Sequence, residues 1–456
     1  MARDQIDMTP LQSRDELVAW LAAGVKPPSE FRIGTEHEKT PFTLDGRHPV
    51  PYEGAKGIGA LLEGMKLLLG WEPIVERGNI IGLYDVTGGG AISLEPGGQF
   101  ELSGAPVENV HQTQAELMAH LAQVREIATP LGIGFLGLGM TPSWSRAQIP
   151  VMPKGRYKIM TNYMPKVGQY GLDMMYRTCT VQTNLDFSSE ADMVKKLRVS
   201  LALQPVATAL FANSPFTEGK PNGFLSFRSE IWRDTDNARS GMLPWAFEDG
   251  MGFERYVDYA LDVPMYFVKR GDAYIDVAGS SFRAFFDGRN NSLPGERPTL
   301  SDWANHLSTI FPEVRLKRYL EMRGADGVPW GRLPALPAFW VGLLYDNQSL
   351  DAAWDIVKHW SAHERQALRD DVPRFGFKAR IRDRYLFEIA KECVTLAHSG
   401  LRRRGRVDHL GRDESRHLEP LERILECGRT PAEEMLDKYN GAWAGSIEPV
   451  YQEYAF

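Results

Sequence analysis

Polar and apolar residues alternate through Ile92–Gly104, which reads ISLEPGGQFELSG. Ile92 and Leu94 share one side of a strand, as do Phe100 and Leu102. Ser93, Glu95, Gln99 and Glu101 take the other side. Between the runs, Pro96-Gly97-Gly98 supplies the fixed φ and the positive φ of a tight turn. The stretch therefore predicts a β-hairpin with one apolar face and one face carrying two carboxylates. Three more segments repeat the pattern. In Phe31–Lys39, Glu36 and Glu38 point the same way, and His37 points to the opposite face as a structural histidine. In Arg177–Phe187, Thr178, Thr180, Gln182, Asn184 and Asp186 face away from Val181, Leu185 and Phe187. In Arg318–Arg323, Glu321 and Arg323 oppose Leu320 and Met322.

Helical spacing fills the remainder. Ser13 and Glu16 form a capping box that opens a helix over 13–23. Further helices are predicted near 56–69, 110–129 and 194–212, and Thr299 caps one over about 300–309. From Ser349 onward the pattern is helical, and Arg402–Arg404 reads as a solvated helix end. Met152–Met164 reads as a glycine-containing loop whose Lys154, Arg156 and Lys158 suit an anionic substrate. Strands followed by helices predict an α+β fold. We expect one domain over 1–456, with a mainly sheet core over 30–345 and a helical region over 349–456.

If the acidic faces converge, like charges ~4 Å apart repel by about 4 kcal/mol per pair at an effective dielectric near 20. Such a cluster must protonate or hold cations. Oxygen ligands without Cys or His favour Mg²⁺ or Mn²⁺ over zinc, and protein-held Mg²⁺ usually bridges to substrate phosphates. Composition narrows the field. A 43% hydrophobic content supports a large core without staples, and a net charge of −7 argues against nucleic-acid partners. Cys179, Cys393 and Cys427 lie far apart with no metal spacing, which fits a cytosolic, reduced protein. No signal pattern or membrane-length apolar run is visible. Gly132–Gly139 matches G-x-G-x-x-G but follows a helix, so its glycines predict close strand packing and not a dinucleotide site. The chain has no P-loop, no H-E-x-x-H and no G-x-S-x-G. Paired carboxylates also serve glycosidases, but five acids with arginines fit phosphoryl chemistry better.

GTEHEK, SLEPGGQFELSGAP, MPKGRY, RTCTVQTNLDFSSEADM, LALQPVATALFANSPFTEGKPNGFLS and HLSTIFPEVRLKRYLEMRGADG resemble the glutamate–cysteine ligase family, in its plant and related bacterial branch. The resemblance runs from Phe31 to the C-terminus. Ser308 departs from it, since family members often carry Thr there. The resemblance implies a curved antiparallel sheet related to that of glutamine synthetase, with peripheral helices. It implies ATP as co-substrate, Mg²⁺ between ATP and L-glutamate, and L-cysteine as the amine, with a monomer or homodimer and no membrane or nucleic-acid partner. By motif, Glu36, Glu38, Glu95, Glu101 and Glu321 become metal ligands. Gln182 stands where other branches can place a metal-binding histidine. Arg323 meets the nucleotide phosphates or the transferred group. Arg156 and Arg228 grip the glutamate α-carboxylate or the acyl phosphate, and Trp232 and Tyr266 wall the amino-acid pocket. Gln114, Val277, Ser292 and Pro334 occupy the positions of the plant regulatory cysteines, so no plant-type thiol switch is expected. The short N-terminus fits a bacterial protein without a transit peptide. Other readings stay open: a ligase for another amine, or a non-catalytic binder of divalent metal or a cationic ligand.

Overall fold

A computed structural model describes residues 7–456; the first six residues of the predicted signal-free start lie outside it. One nine-stranded antiparallel sheet organises the molecule. Its strands are β1 (Ile33–Thr43), β2 (Glu72–Glu76), β3 (Asn79–Tyr84), β4 (Ala91–Leu94), β5 (Phe100–Ser103), β6 (Ile133–Leu136), β7 (Thr180–Leu185), β8 (Val314–Leu316) and β9 (Leu320–Asp326). The order is β8-β9-β7-β1-β5-β4-β3-β2, with β6 pairing the far half of β1. The predicted hairpin is β4–β5, with Ser93 opposite Glu101 and Leu94 opposite Phe100. Gly98 takes the positive φ that closes its turn.

Register decides what the sheet presents. β1 lies between β5 and β7, so Glu38 stands directly opposite Glu101 and Glu36 opposite Gln182. β9 pairs β7 with a bulge: Met322 opposes Thr183, but Ala325 opposes Val181 and Asp326 opposes Thr180. An extra residue on one strand exchanges the faces beyond it. Strict alternation would set Asp326 against Glu321; the bulge returns both to the polar side.

The reverse face is covered by helices. Val110–Leu131 packs on β1, Glu190–Leu210 on β9, and Ala335–Leu344 on β7. Every residue of Ala335–Leu344 is buried, as suits a helix that is hydrophobic all round. This helix falls inside the stretch expected to be mainly sheet. A second correction concerns Met152–Met164: Gly155–Tyr163 is helical. Glu76 accepts the Gly155 N–H at 2.6 Å, so a carboxylate on β2 satisfies the helix start. The N-terminal helix, Arg14–Ala22, carries the expected capping box. A Cβ on Gly137 or Gly139 would sit 2.5–2.6 Å from Val328 O or the Asp326 side chain, which supports the packing role of these glycines. His37 is buried on the reverse face beside His120, as expected. Burial also draws the neighbouring Lys39 ammonium down to about 7.

Candidate active site

The polar face of the sheet floors a cavity of about 140 Å³. Glu36, Glu38, Ser93, Glu95, Glu101, Thr180, Gln182 and Arg323 line it from the sheet side. Arg315 lines it from the edge strand β8, and Arg156, Tyr157, Arg228, Trp232, Phe267, Ser308 and Phe311 close it from the surrounding elements. Residues of all four predicted segments therefore meet here, but Asp186 and Glu321 lie outside the lining, and Arg323 represents its segment.

The site has two electrically different poles. At one, Glu38, Glu95 and Glu101 gather from β1 and the hairpin. Neutral groups support them: the Thr180 N–H donates to Glu38 at 2.9 Å, Ser93 and Ser103 donate to Glu101, and the Tyr157 hydroxyl donates to Glu95 at 3.4 Å. Burial first, then the charges of Glu95 and Glu101, push the Glu38 carboxyl well above its usual range. At the other pole, Glu321 is fully buried and ringed by cations. Arg315 reaches it at 2.7 Å, Arg323 at 2.6 Å and Lys317 at 3.2 Å. Burial alone would raise this carboxyl, but the three cations outweigh it and hold it well below the usual range. Glu36 lies between the poles and accepts from Asn184 Nδ2 at 2.9 Å.

The predicted arginines meet here. Arg323 donates to the Gln182 amide oxygen and to Glu321, both at 2.6 Å. Arg228 is 3% exposed and donates to the Arg323 carbonyl at 3.0 Å. The Arg323 guanidinium lies 5.9 Å from the Trp232 ring centre and 5.6 Å from that of Phe311. Of the three cations in MPKGRYK, only Arg156 lines the cavity. Lys154 is buried against the Leu94 carbonyl, and Lys158 is exposed. Tyr266 sits behind the wall, its hydroxyl donating to Asp236 at 3.0 Å, and Phe267 faces the cavity in its place. Reasoning from sequence missed Arg315, Lys317 and Tyr157. The first two were legible: Arg315 and Lys317 are two apart in a strand-like run beside Glu321, and Arg315 pairs with Glu321 in register.

Among the described residues, no three His, Cys, Asp or Glu side chains stand close enough to enclose a metal ion. The donor chemistry still suits Mg²⁺, which commonly takes one or two protein carboxylates and completes its shell with water and substrate phosphate. Facing carboxylates without a cationic partner fit that pattern.

The sequence model of glutamate–cysteine ligase family 2 matches residues 32–453. The chain belongs to this family. It is 58% identical over 444 residues to the chloroplastic glutamate–cysteine ligase of Nicotiana tabacum, covering 97% of this chain and 83% of that one. The Arabidopsis thaliana counterpart is 57% identical with the same coverage. Glutamate–cysteine ligase B of Oryza sativa is 56% identical over 99% of this chain and 89% of that one. A crystal structure of a glutamate–cysteine ligase from Francisella tularensis in complex with AMP shares the fold. Its TM-score is 0.51 at 14% identity, covering 93% of this chain and 89% of that one. A glutamate–cysteine ligase family member is an enzyme, and this chain is a ligase. The cytosolic expectation is overturned by these relatives, which are named as chloroplastic enzymes.

Proposed function

We propose that this ligase joins the γ-carboxylate of L-glutamate to the amine of L-cysteine with ATP, the first step of glutathione biosynthesis. The γ-phosphoryl group of ATP passes to a γ-carboxylate oxygen, giving ADP and γ-glutamyl phosphate. The cysteine amine attacks that carbonyl, phosphate leaves, the ammonium proton is released and γ-glutamylcysteine forms. The single observation that carries this reading is a cavity with facing carboxylates at one pole and Arg315 and Arg323 at the other, drawn together by the buried Glu321 behind them. Phosphoryl transfer needs that pairing of positioning and charge neutralisation.

In this reading Glu36, Glu38, Glu95 and Glu101 hold Mg²⁺, with Mn²⁺ as a substitute. The metal, when bound, neutralises phosphate charge. Arg323 meets the transferred group; Gln182 would join the metal ligands, whereas Glu321, held also by Arg315 and Lys317, serves to gather the cations. Arg228 and Arg156 hold the carboxylate or acyl phosphate of glutamate. Trp232 and Phe267 wall the amino-acid pocket, with Tyr266 behind them. The family affiliation and the cavity chemistry support these roles.

The test is ADP release with ATP, Mg²⁺ and L-glutamate, with and without L-cysteine, and identification of the product by mass. Cysteine-dependent ADP release with γ-glutamylcysteine is the expected result. Faster release with another amine would keep the ligase chemistry and remove cysteine. No release with any amine from folded protein would overturn the reading.

A further inference from the structure

Asp326 ends β9 and is 1% exposed, yet it lines no part of the cavity. The bulge at Arg323–Gly324 turns it to the polar side of the sheet. There it accepts three hydrogen bonds: from the Ser214 hydroxyl at 2.6 Å, the Ser226 hydroxyl at 2.7 Å and the Asn213 N–H at 2.9 Å. Each hydroxyl also accepts from the short helix Phe227–Ile231. Ser214 Oγ takes the Arg228 N–H at 3.1 Å, and Ser226 Oγ takes the Ser229 N–H at 3.2 Å. Both serines thus pass the carboxylate's charge to the start of the helix that carries Arg228. Ser214 is 2% exposed and Ser226 is fully buried, so water does not compete for these bonds.

The circuit closes on itself. Arg228 extends from that helix and donates to the Arg323 carbonyl, three residues before Asp326. Its backbone is therefore fixed by one end of the bulged segment and its guanidinium by the other. Two arginines of the cavity share one buried anchor.

We infer that Asp326 is a positioning residue for Arg228 and Arg323, acting through the Ser214 and Ser226 hydroxyls. This rests on the role given to Arg228 above. A preset guanidinium needs no reordering when the anion arrives, which favours turnover and binding together.

The test measures kcat and KM for L-glutamate and ATP in full-length Asp326→Asn, Ser226→Ala, Ser226→Thr and Arg228→Lys. We expect Asp326→Asn to lower kcat/KM for the substrate that Arg228→Lys affects, by about tenfold to a hundredfold. The share of that loss in KM should match between the two variants. Loss of folding alone would reduce kcat through fewer active molecules and leave KM unchanged. The double variant Asp326→Asn/Arg228→Lys should lose much less than the product of the single losses. Ser226→Ala should be impaired and Ser226→Thr restored, which keeps the inference testable if Asp326→Asn fails to fold. Independent losses, or unaltered kcat/KM in Asp326→Asn and Ser226→Ala, would overturn it. Normal turnover in Arg228→Lys and in Arg228→Ala would instead remove the role of Arg228 on which it rests.

Discussion

Glu101 and Glu321 are buried glutamates on the polar side of one sheet, and their surroundings are opposite. Glu101 faces Glu38 across β1 and β5 and is supported by serine hydroxyls. Glu321 is held by Arg315, Lys317 and Arg323. The first is short of positive charge, and the second is saturated with it. The difference shows how one cavity can await a cation and an anion at once. Carboxylates kept from salt bridges remain available to metal, and cations gathered on one buried acid remain available to phosphate. Had each acid been paired with its own arginine, the fold would hold together and the site would bind neither.

The strongest way to break this contrast is at the acidic pole. Glu101→Gln keeps the size of the side chain and removes its charge. Turnover should fall by a hundredfold to a thousandfold or more on the order of magnitude seen when an electrostatic stabiliser is removed. Thermal unfolding should remain cooperative. Normal steady-state rates would remove Glu101 from the metal set. At the other pole, Glu321→Leu strands two arginines and a lysine beside a cavity. A loss of about 3–5 kcal/mol is expected, read from urea unfolding. A stability loss no larger than that of Glu101→Gln would erase the distinction between the poles.

The poles should also titrate with opposite sign. Folding raises the Glu38 pKa, so its contribution is fully present below about 4.5 and is lost as pH rises through the folded value. Folding lowers the Glu321 pKa, so its contribution is present above about 4.5 and is lost as pH falls through the folded value. In chelator-treated protein, Glu38→Gln should flatten the decline of Tm as pH rises above about 4.5, and Glu321→Gln should flatten the decline as pH falls below it. The same slope change in both variants would refute the assignment. The smallest effect is an absence. Cys179 and Cys393 are buried thiols, Cys427 is an exposed one, and no disulfide joins them. Dithiothreitol should leave turnover unchanged, and a several-fold loss would contradict a site governed by charge alone.

How much of this was legible depends on period. Glu36, Glu38, Glu95 and Glu101 sit on regular strands, where alternation assigns a face without knowledge of the partner. The β4–β5 hairpin was legible for the same reason, aided by its turn residues. Alternation continued from Glu321 would misplace Asp326, because the bulge inserts a residue that no local pattern announces. Tyr266 was misplaced for a related reason: neighbouring residues on a strand face opposite ways, and its motif fixed the segment but not the side. The helix Ala335–Leu344 was hidden because a continuously apolar run has no periodicity to read. The helix Gly155–Tyr163 was hidden because its start is satisfied from outside, by Glu76. Arg315 and Lys317 stood legibly two apart beside Glu321, but that Arg315 faces Glu321 across the strands required the register.

The bulge at Arg323–Gly324 also bears on which changes in chain length this protein tolerates. Loops commonly accept inserted or missing residues, because the flanking elements keep their registration. Here the surplus residue is itself the registration. Removing Gly324 would not merely shorten a strand: it would turn Asp326 into the hydrophobic interior and leave the Asn213–Ser226 connection without its anchor. A Cβ at Gly324 would lie 2.3 Å from the Gln204 amide oxygen and would displace that side chain from the hydrogen bond it accepts from the Gly324 N–H. Natural variation in this segment should therefore run through substitution at neighbouring positions, with the count of residues from Glu321 to Asp326 held constant.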